Sequence, residues 1–538
     1  MSHASGTPGE RPVLFDQTEK VPDPIRLPPE PVGGLLDAVI AGTQPGTGPA
    51  GAAARTPAVA PVLEQFLRAD SATALRLWLG RNFWSRPNLS RDTIARALGR
   101  DIARLDALLS RQVNAILHHP QFQQLEASWR GLWLLTGQAQ RAVAQADQDG
   151  DEVHMSIRVL NVSKRELARD FDKVIEFDQS QLFKKVYEEQ FGMAGGEPFG
   201  MLLGDYQFTN HVEDIQLLSS LSGVAAAAFA PFVAAATPQL LGLDNFATLE
   251  QPMELADTFN QLEYLKWRSF RDQEDSRFVG LTLPRMLMRV PYADTATRTD
   301  GFRFREDVEG ADNSKYVWGN PAYALGAVLA RAFASSGWFA EIRGVERDVE
   351  GGGLVTGLAV HSCGTDRPGI APKISTDVAI SDHQERELSL LGFVPLCHCK
   401  DTEHSVFYTN QSVQKPKTYD DQAATANARI SAMLQYVMCA SRFAHYLKVL
   451  ARNKVGGSMR EDELQSYLNN WIHRYVAADE KAPPATKARF PLREADIEVK
   501  EIPGKPGSYR LVIRLLPHFQ LDELTATLRL VTTTTNAT

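Results

Sequence analysis

A chain of 538 residues, 43% hydrophobic and 23% charged, carries the apolar surface for a large buried core divided over two or three domains. Its formal net charge of -8 excludes the basic surface of a nucleic-acid binder. Four scattered cysteines, Cys363, Cys397, Cys399 and Cys439, exclude a disulfide framework and fit a reducing compartment.

No charged stretch followed by an apolar h-region opens the chain. The most apolar run, LSGVAAAAFAPFVAAA, carries Pro231 and is shorter than a membrane span needs. A soluble cytoplasmic protein without membrane insertion is expected. Residues 1–62 are rich in Pro, Gly, Ala and Thr and read as a flexible arm. One island, GGLLDAVIAG, interrupts the arm. Leu35, Leu36, Val39 and Ile40 share a face of a short helix over 34–41, too short to stand alone in water. Such a helix either packs on its own domain or docks into a partner's groove.

From 63 to 149 the pattern is helical. Leu105, Leu108, Leu109, Val113, Ile116 and Leu117 mark one helix, closed before Pro120; Phe122, Leu125, Trp129, Leu132 and Trp133 mark the next. EVHMSIRVL then alternates Val153, Met155, Ile157 and Val159 as a strand does. Ser163 and Glu166 form a capping box. A helix to about Phe191, the strand FGMLLGDYQF and a helix from Asp214 follow. FVPLCHC and HSVFYTN form a hairpin-like pair. Strands alternating with helices predict a mixed α/β fold with a partly parallel central domain over 150–415. Residues 416–538 form a C-terminal domain of two helices, near 425–453 and 460–476, and a β tail: ADIEVKEI, SYRLVIRLL and ELTATLRLV.

Two stretches invite a chemical reading. In GMAGGEPFGMLLGD, Gly195 and Gly200 have the G-x-x-x-x-G spacing of a phosphate loop. Met201 and Leu202 stand where Lys and Ser/Thr would have to be, and the glycines precede their strand instead of following it. Gly195, Gly196 and Gly200 therefore read as a structural turn. Cys397-His398-Cys399 has C-x-C spacing and no second pair to complete a zinc tetrahedron. Neither a nucleophile elbow nor an H-E-x-x-H motif is present. No catalytic, metal or cofactor-binding residue is assigned, and a nucleotide-dependent α/β enzyme is the weaker reading.

Longer strings carry more information. VYEEQFGMAGGEPFGMLLGDYQF, ILHHPQFQQLEASWRGLWLL, YVWGNPAYAL, LGFVPLCHCKDTEHSVFYTNQSVQKPKTYDD, ATANARISAMLQYVMCASRFAHYLKVLARNKVG and PGSYRLVIRLLPHFQLDELTATLRLV resemble, in order, segments of the large subunit of the type VI secretion contractile sheath (the TssC/VipB family). They span roughly residues 100–531. The resemblance implies a non-enzymatic subunit that pairs with a small sheath subunit. The heterodimers would polymerise helically around an inner tube protein, above a baseplate, and contract to propel tube and spike into a target cell. It also implies recycling by a Clp-type AAA+ unfoldase that grips the helix carrying Leu35, Leu36, Val39 and Ile40. A phage-tail-like sheath of another system is the second alternative. The tail strands, with Tyr509, Leu511, Ile513 and Leu515 on one apolar face and Ala526, Leu528 and Leu530 on another, suit β-augmentation between subunits. The resemblance implies that such terminal strands interlace with neighbours.

Overall fold

The computed structural model describes residues 35–37, 40, 59–87, 89–193, 195–251, 253–294, 301–310, 312–345, 351–363, 373–400, 402–454, 460–479, 481–502, 509–518 and 528–534. Two compact units divide the chain: Met1–Gln112 with Arg298–Phe304, and Val113–Thr297 with Arg305–Thr538.

The first unit is helical. It holds α1 (Val59–Arg68), α2 (Ser71–Leu79) and the first part of α3 (Arg91–Leu117). The Asp70 carboxylate caps α2 by accepting from Ala72 N–H, satisfying a donor that the first helical turn leaves free. Leu79, Phe83 and Ala97 form a small core, and Trp78 Nε1 donates to Asp101 at 3.0 Å.

The second unit begins in α3 and continues into α4 (Pro120–Asp149), with Pro120 in its first turn and left-handed Gly150 at its C-terminus, the preferred residues for those places. The expected strand over 152–160 does not form: residues 151–163 carry no strand pairing. The alternation is present in the sequence, but among the described residues no neighbouring strand supplies a ladder. The Ser163–Glu166 capping box opens α5 (Lys164–Asp172).

At the centre lies a four-stranded parallel sheet. Its strands are β1 (Leu202–Phe208), β2 (Phe232–Ala236), β3 (Val279–Leu283) and β4 (Phe393–Pro395), paired in that order. Both central strands are buried along their whole length, so a parallel sheet needs apolar cover on both faces. Alternation decides which residue meets which cover. Phe232, Ala234 and Ala236 join a core with Ile215, Leu218 and Leu221 of α6 (Val212–Ala228). Val233 joins the opposite core with Ala324–Leu329 of α7 (Ala322–Ser336). The hairpin-like pair is split: Phe393–Pro395 enters this sheet, and Cys397–His398 pairs with Ser405–Val406. The free edge of β1 is closed by a side chain. Asn320 Nδ2 donates to the carbonyls of Gly204 at 3.1 Å and Tyr206 at 3.3 Å.

The helix α4 packs on α7 in a way the large apolar residues do not announce. Its buried residues are Ala127, Gly131, Leu134, Leu135, Ala139 and Ala146. A Cβ at Gly131 would stand 2.8 Å from Tyr323 Cγ, so glycine is what lets the two helices approach. Phe122, Leu125, Trp129 and Trp133, which mark this helix in the sequence, are exposed. Glu126 and Glu306 flank the buried Arg289 guanidinium at 2.7 and 2.5 Å, fastening α4 to the segment after β3. Burial alone would raise the Glu306 carboxyl, but hydrogen bonds from Arg289 and from Tyr292 N–H outweigh it and hold the group below its usual range.

The C-terminal part holds α8 (Gln422–Ser431), α9 (Leu434–Lys454) and α10 (Glu461–Ile472). They precede an antiparallel sheet of β5 (Leu492–Glu501), β6 (Tyr509–Pro517) and β7 (Leu528–Thr534), in sequential order. Helix α9 belongs to two cores at once. Leu434 and Met438 pack beneath the parallel sheet; Phe443, Leu447 and Ala451 pack with α10 and with Ile497, Leu511 and Ile513 of the antiparallel sheet. Trp338 stacks on Phe443 at 4.0 Å.

Helix α9 also buries His445, whose Nε2 donates to Ala228 O at 2.8 Å and whose Nδ1 lies 3.3 Å from Arg442 Nη1. Burial, helped by Arg442, pulls its pKa down to about 3, well under the ordinary value of about 6.5. The neutral imidazole therefore favours the folded state fully above about pH 6.5 and progressively less as pH falls towards 3. The expected outcome is that the melting temperature of wild type exceeds that of His445→Gln at pH 7, and that the gap narrows by pH 5. A gap independent of pH would show that His445 is not buried neutral.

Candidate assembly surfaces

The glycine segment follows a π-helical stretch, Lys184–Gly192. Gly195 has φ +80°, a left-handed value that a β-branched residue adopts only at a cost. A Cβ on Gly196 would stand 2.8 Å from Glu189 O, and one on Gly200 3.0 Å from the Phe339 ring. Three cations of α9 hold the turn. Arg452 Nη1 donates to Met193 O at 2.7 Å and to the carbonyls of Phe191 and Gly192 at 3.4 Å. Lys448 Nζ donates to the Tyr187 hydroxyl at 3.2 Å and sits 3.6 Å from the Phe191 ring centroid. Arg442 Nη1 donates to Pro198 O at 3.4 Å. Burial, with Arg452 alongside, lowers the Lys448 ammonium to about 8. The polarity is the reverse of a phosphate cradle. A cradle turns N–H donors towards an anion; here carbonyls at a helix C-terminus face cations, the arrangement favoured by the helix dipole. The turn is a clasp between the central sheet domain and α9.

Cys397 is buried and Cys399 half-buried, and burial raises both thiols. Among the described residues no group of three or more His, Cys, Asp or Glu is placed to hold a metal ion.

Of the N-terminal island, Leu35, Leu36, Asp37 and Ile40 are helical. Val39 lies outside the described residues. Leu35 and Leu36 are buried and Ile40 half-buried, so this face is closed against the chain itself. Asp37 pairs with Arg104 of α3 at 2.6 Å.

In the tail, Leu511, Ile513 and Leu515 are buried and Tyr509 packs beside them in the core beneath α9 and α10. This apolar face is occupied inside the chain and not turned to a neighbour. The backbone of β7 pairs with β6, with Leu530 opposite Ile513 and Leu528 opposite Leu515; Ala526 lies outside the described residues. What an assembling sheet would offer is therefore its edges. The β5 edge is sealed by side chains from α10 and its first turn. Glu461, Gln465 and Asn469 accept from the N–H groups of Glu501, Val499 and Ile497 at 3.2, 3.1 and 3.0 Å, and Asn469 Nδ2 returns a bond to Ile497 O at 2.8 Å. Four residues of helix rise about 6 Å, nearly two residues of strand, so the spacing matches three times over. At the opposite edge, among the described residues no strand pairs with the outer side of β7.

A further surface lies on α4, where Phe122, Leu125, Trp129 and Trp133 are exposed at helical spacing. Glu126, Trp129, Arg130 and Trp133 line an open cleft of about 370 Å³. The signal was visible in the sequence as a stripe of aromatics, but the small residues of the opposite face outcompete it for the core.

Two family models match the chain in succession. The tail sheath N-terminal domain of the EvpB/VC_A0108 family matches residues 99–414, and the tail sheath gpW/gp25-like domain of the same family matches residues 423–534. The chain belongs to the large-subunit family of the type VI secretion contractile sheath. It is 45% identical over 433 residues to the type VI secretion system sheath protein TssC1 of Pseudomonas aeruginosa, covering 80% of this chain and 84% of that relative. A sheath tail protein from Desulfitobacterium hafniense is similar over 59% of each chain, at 9% identity and a TM-score of 0.27. The sheath subunit is a structural protein, and its family implies assembly with a small sheath subunit. Among the described residues no helix is long and apolar enough to cross a membrane.

The clasp is open to a direct test. Gly195→Val forces a branched side chain onto a positive φ, and Arg452→Ala removes the donor to three carbonyls. Each is expected to lower the melting temperature of the purified sheath complex by several degrees, and the double variant by less than the sum, because both act on one turn. Additive losses would mean that turn and cation are not coupled.

Proposed function

We propose that this chain, paired with a small sheath subunit, forms a cytoplasmic helical sheath around an inner tube protein on a baseplate. Contraction of that sheath drives the tube outward. The chain carries out no catalysis and holds no cofactor. The observation that carries this reading is the one-sided C-terminal sheet: one edge is sealed by α10, and the other ends on the terminal strand β7. A sheet that can grow at one edge alone tethers subunits with a fixed polarity, as a directional polymer requires. The chain's own Tyr509, Leu511, Ile513 and Leu515 anchor that sheet, and the segment with Ala526, Leu528 and Leu530 is the part exchanged between neighbours. Sheath shortening is then a rearrangement between rigid bodies, a packing change of stored conformational energy.

The N-terminal island serves in recycling by a Clp-type AAA+ unfoldase. Leu35, Leu36, Val39 and Ile40 are the face to be gripped, and the burial of Leu35 and Leu36 keeps that face closed until the helix leaves its seat. Recognition of many such helices on one spent sheath then works through avidity.

Co-expression with the small sheath subunit is expected to give hollow tubes of very high mass in negative-stain micrographs. The chain expressed alone is expected to give no tubes, and deletion of residues 523–538 to leave the heterodimer but abolish long tubes. A monodisperse monomer that turns over a nucleotide would contradict the reading.

A further inference from the structure

The stretch between α4 and α5 is strand sequence without a strand partner. Val153, Met155, Ile157 and Val159 alternate through it. Val153 and Met155 are half-buried, but Ile157 is 40% exposed and Val159 70% exposed. One apolar face thus starts against the chain and runs out into solvent, with Leu160 exposed on the other side. Among the described residues no backbone hydrogen bond joins residues 152–161 to another segment. β-Branched side chains and bare N–H and C=O groups together form a template for another strand.

The template is held in place. At its start, Asp151 N–H donates to Ala146 O at 3.0 Å and the Asp151 carboxylate pairs with Arg489. In its middle, Arg158 pairs with Glu197 at 3.3 Å and lies over the Phe199 ring. At its end, the Tyr206 hydroxyl donates to Val162 O at 2.7 Å before the Ser163 cap. Anchoring in three places lowers the ordering cost when a strand arrives.

We propose that residues 152–161 are the docking edge for an extended strand of the small sheath subunit, one whose alternate aliphatic side chains cover Ile157 and Val159. The proposal rests on the sheath reading above. A second copy of this chain bound through the same segment would generate a two-fold axis. Its two subunits would point in opposite directions, which a polar sheath does not permit. Among the described residues the edges of β1 and β5 are closed by Asn320 and by α10, and the open edge of β7 is the one given above to contacts between neighbouring C-terminal sheets. The occupant is therefore a strand from a different chain, and a sheath built from two kinds of subunit supplies one.

The test uses the full chain co-expressed with a tagged small subunit. Ile157→Asp with Val159→Asp is expected to lower recovery of the pair at least tenfold. Ile175→Asp, which adds charge at another exposed site, is expected to leave recovery unchanged. In otherwise wild-type protein, a photo-crosslinking side chain in place of Val159 is expected to trap the small subunit. Undiminished recovery of the double variant, or a crosslink to a second copy of this chain, would overturn the proposal. Failure of the wild-type chain to bind the small subunit at all would instead overturn the sheath reading on which it stands.

Discussion

Everything in the second unit depends on α9 being shared. One helix contributes Leu434 and Met438 to the core under the parallel sheet and Phe443, Leu447 and Ala451 to the core under the antiparallel sheet. The same helix buries a neutral histidine and presents Arg442, Lys448 and Arg452 to the turn at 191–198. Fully burying a large aliphatic or aromatic side chain contributes about 1.5–3 kcal/mol, so removing α9 would unmake both cores together. Two domains joined in this way transmit force as one body.

A second rule governs the edges. Sheets that stop within a protein leave unpaired backbone groups, and this chain deals with them differently at each place. Asn320 closes β1 with one amide, and α10 closes β5 with three side chains in step with the strand. The terminal strand and the stretch at 152–161 are not closed among the described residues. The same division holds for helices: α4 uses Gly131 and small residues to approach α7 and leaves Trp129 and Trp133 outside. Closed edges and a shared interior define the body, and the open edges and exposed aromatics are the surfaces it leaves available for contacts.

Much of this was legible in the sequence. Alternating strands and helices located the parallel sheet; the capping box at Ser163, the helix after Pro120 and the first two tail strands stand where pattern placed them, and the third is described over Leu528–Thr534, overlapping the end of ELTATLRLV. The glycine turn was separable from a phosphate loop by its missing lysine, and its clasp to α9 depends on contacts between residues some 250 positions apart, which local pattern does not record. One reading failed, and another stopped short, for a common physical reason. Periodicity says which residues share a face but not what covers that face. On α4 the stripe of large apolar residues marked the helix, but the glycine and alanines opposite it take the core. At 152–160 the strand pattern was read as a strand, although pairing needs a neighbour that the described residues do not provide. The family itself was legible through long collinear strings, which no single helix or strand signal could match.

The central claim is that α9 makes the two sheet cores one rigid body that survives contraction. Hydrogen–deuterium exchange on extended and contracted sheaths tests it most directly. The amides of 437–451 are expected to exchange as slowly as those of β2 and β3, and equally slowly in both states. Faster exchange confined to α9 in one of the two states would show that the cores separate, and would contradict the account.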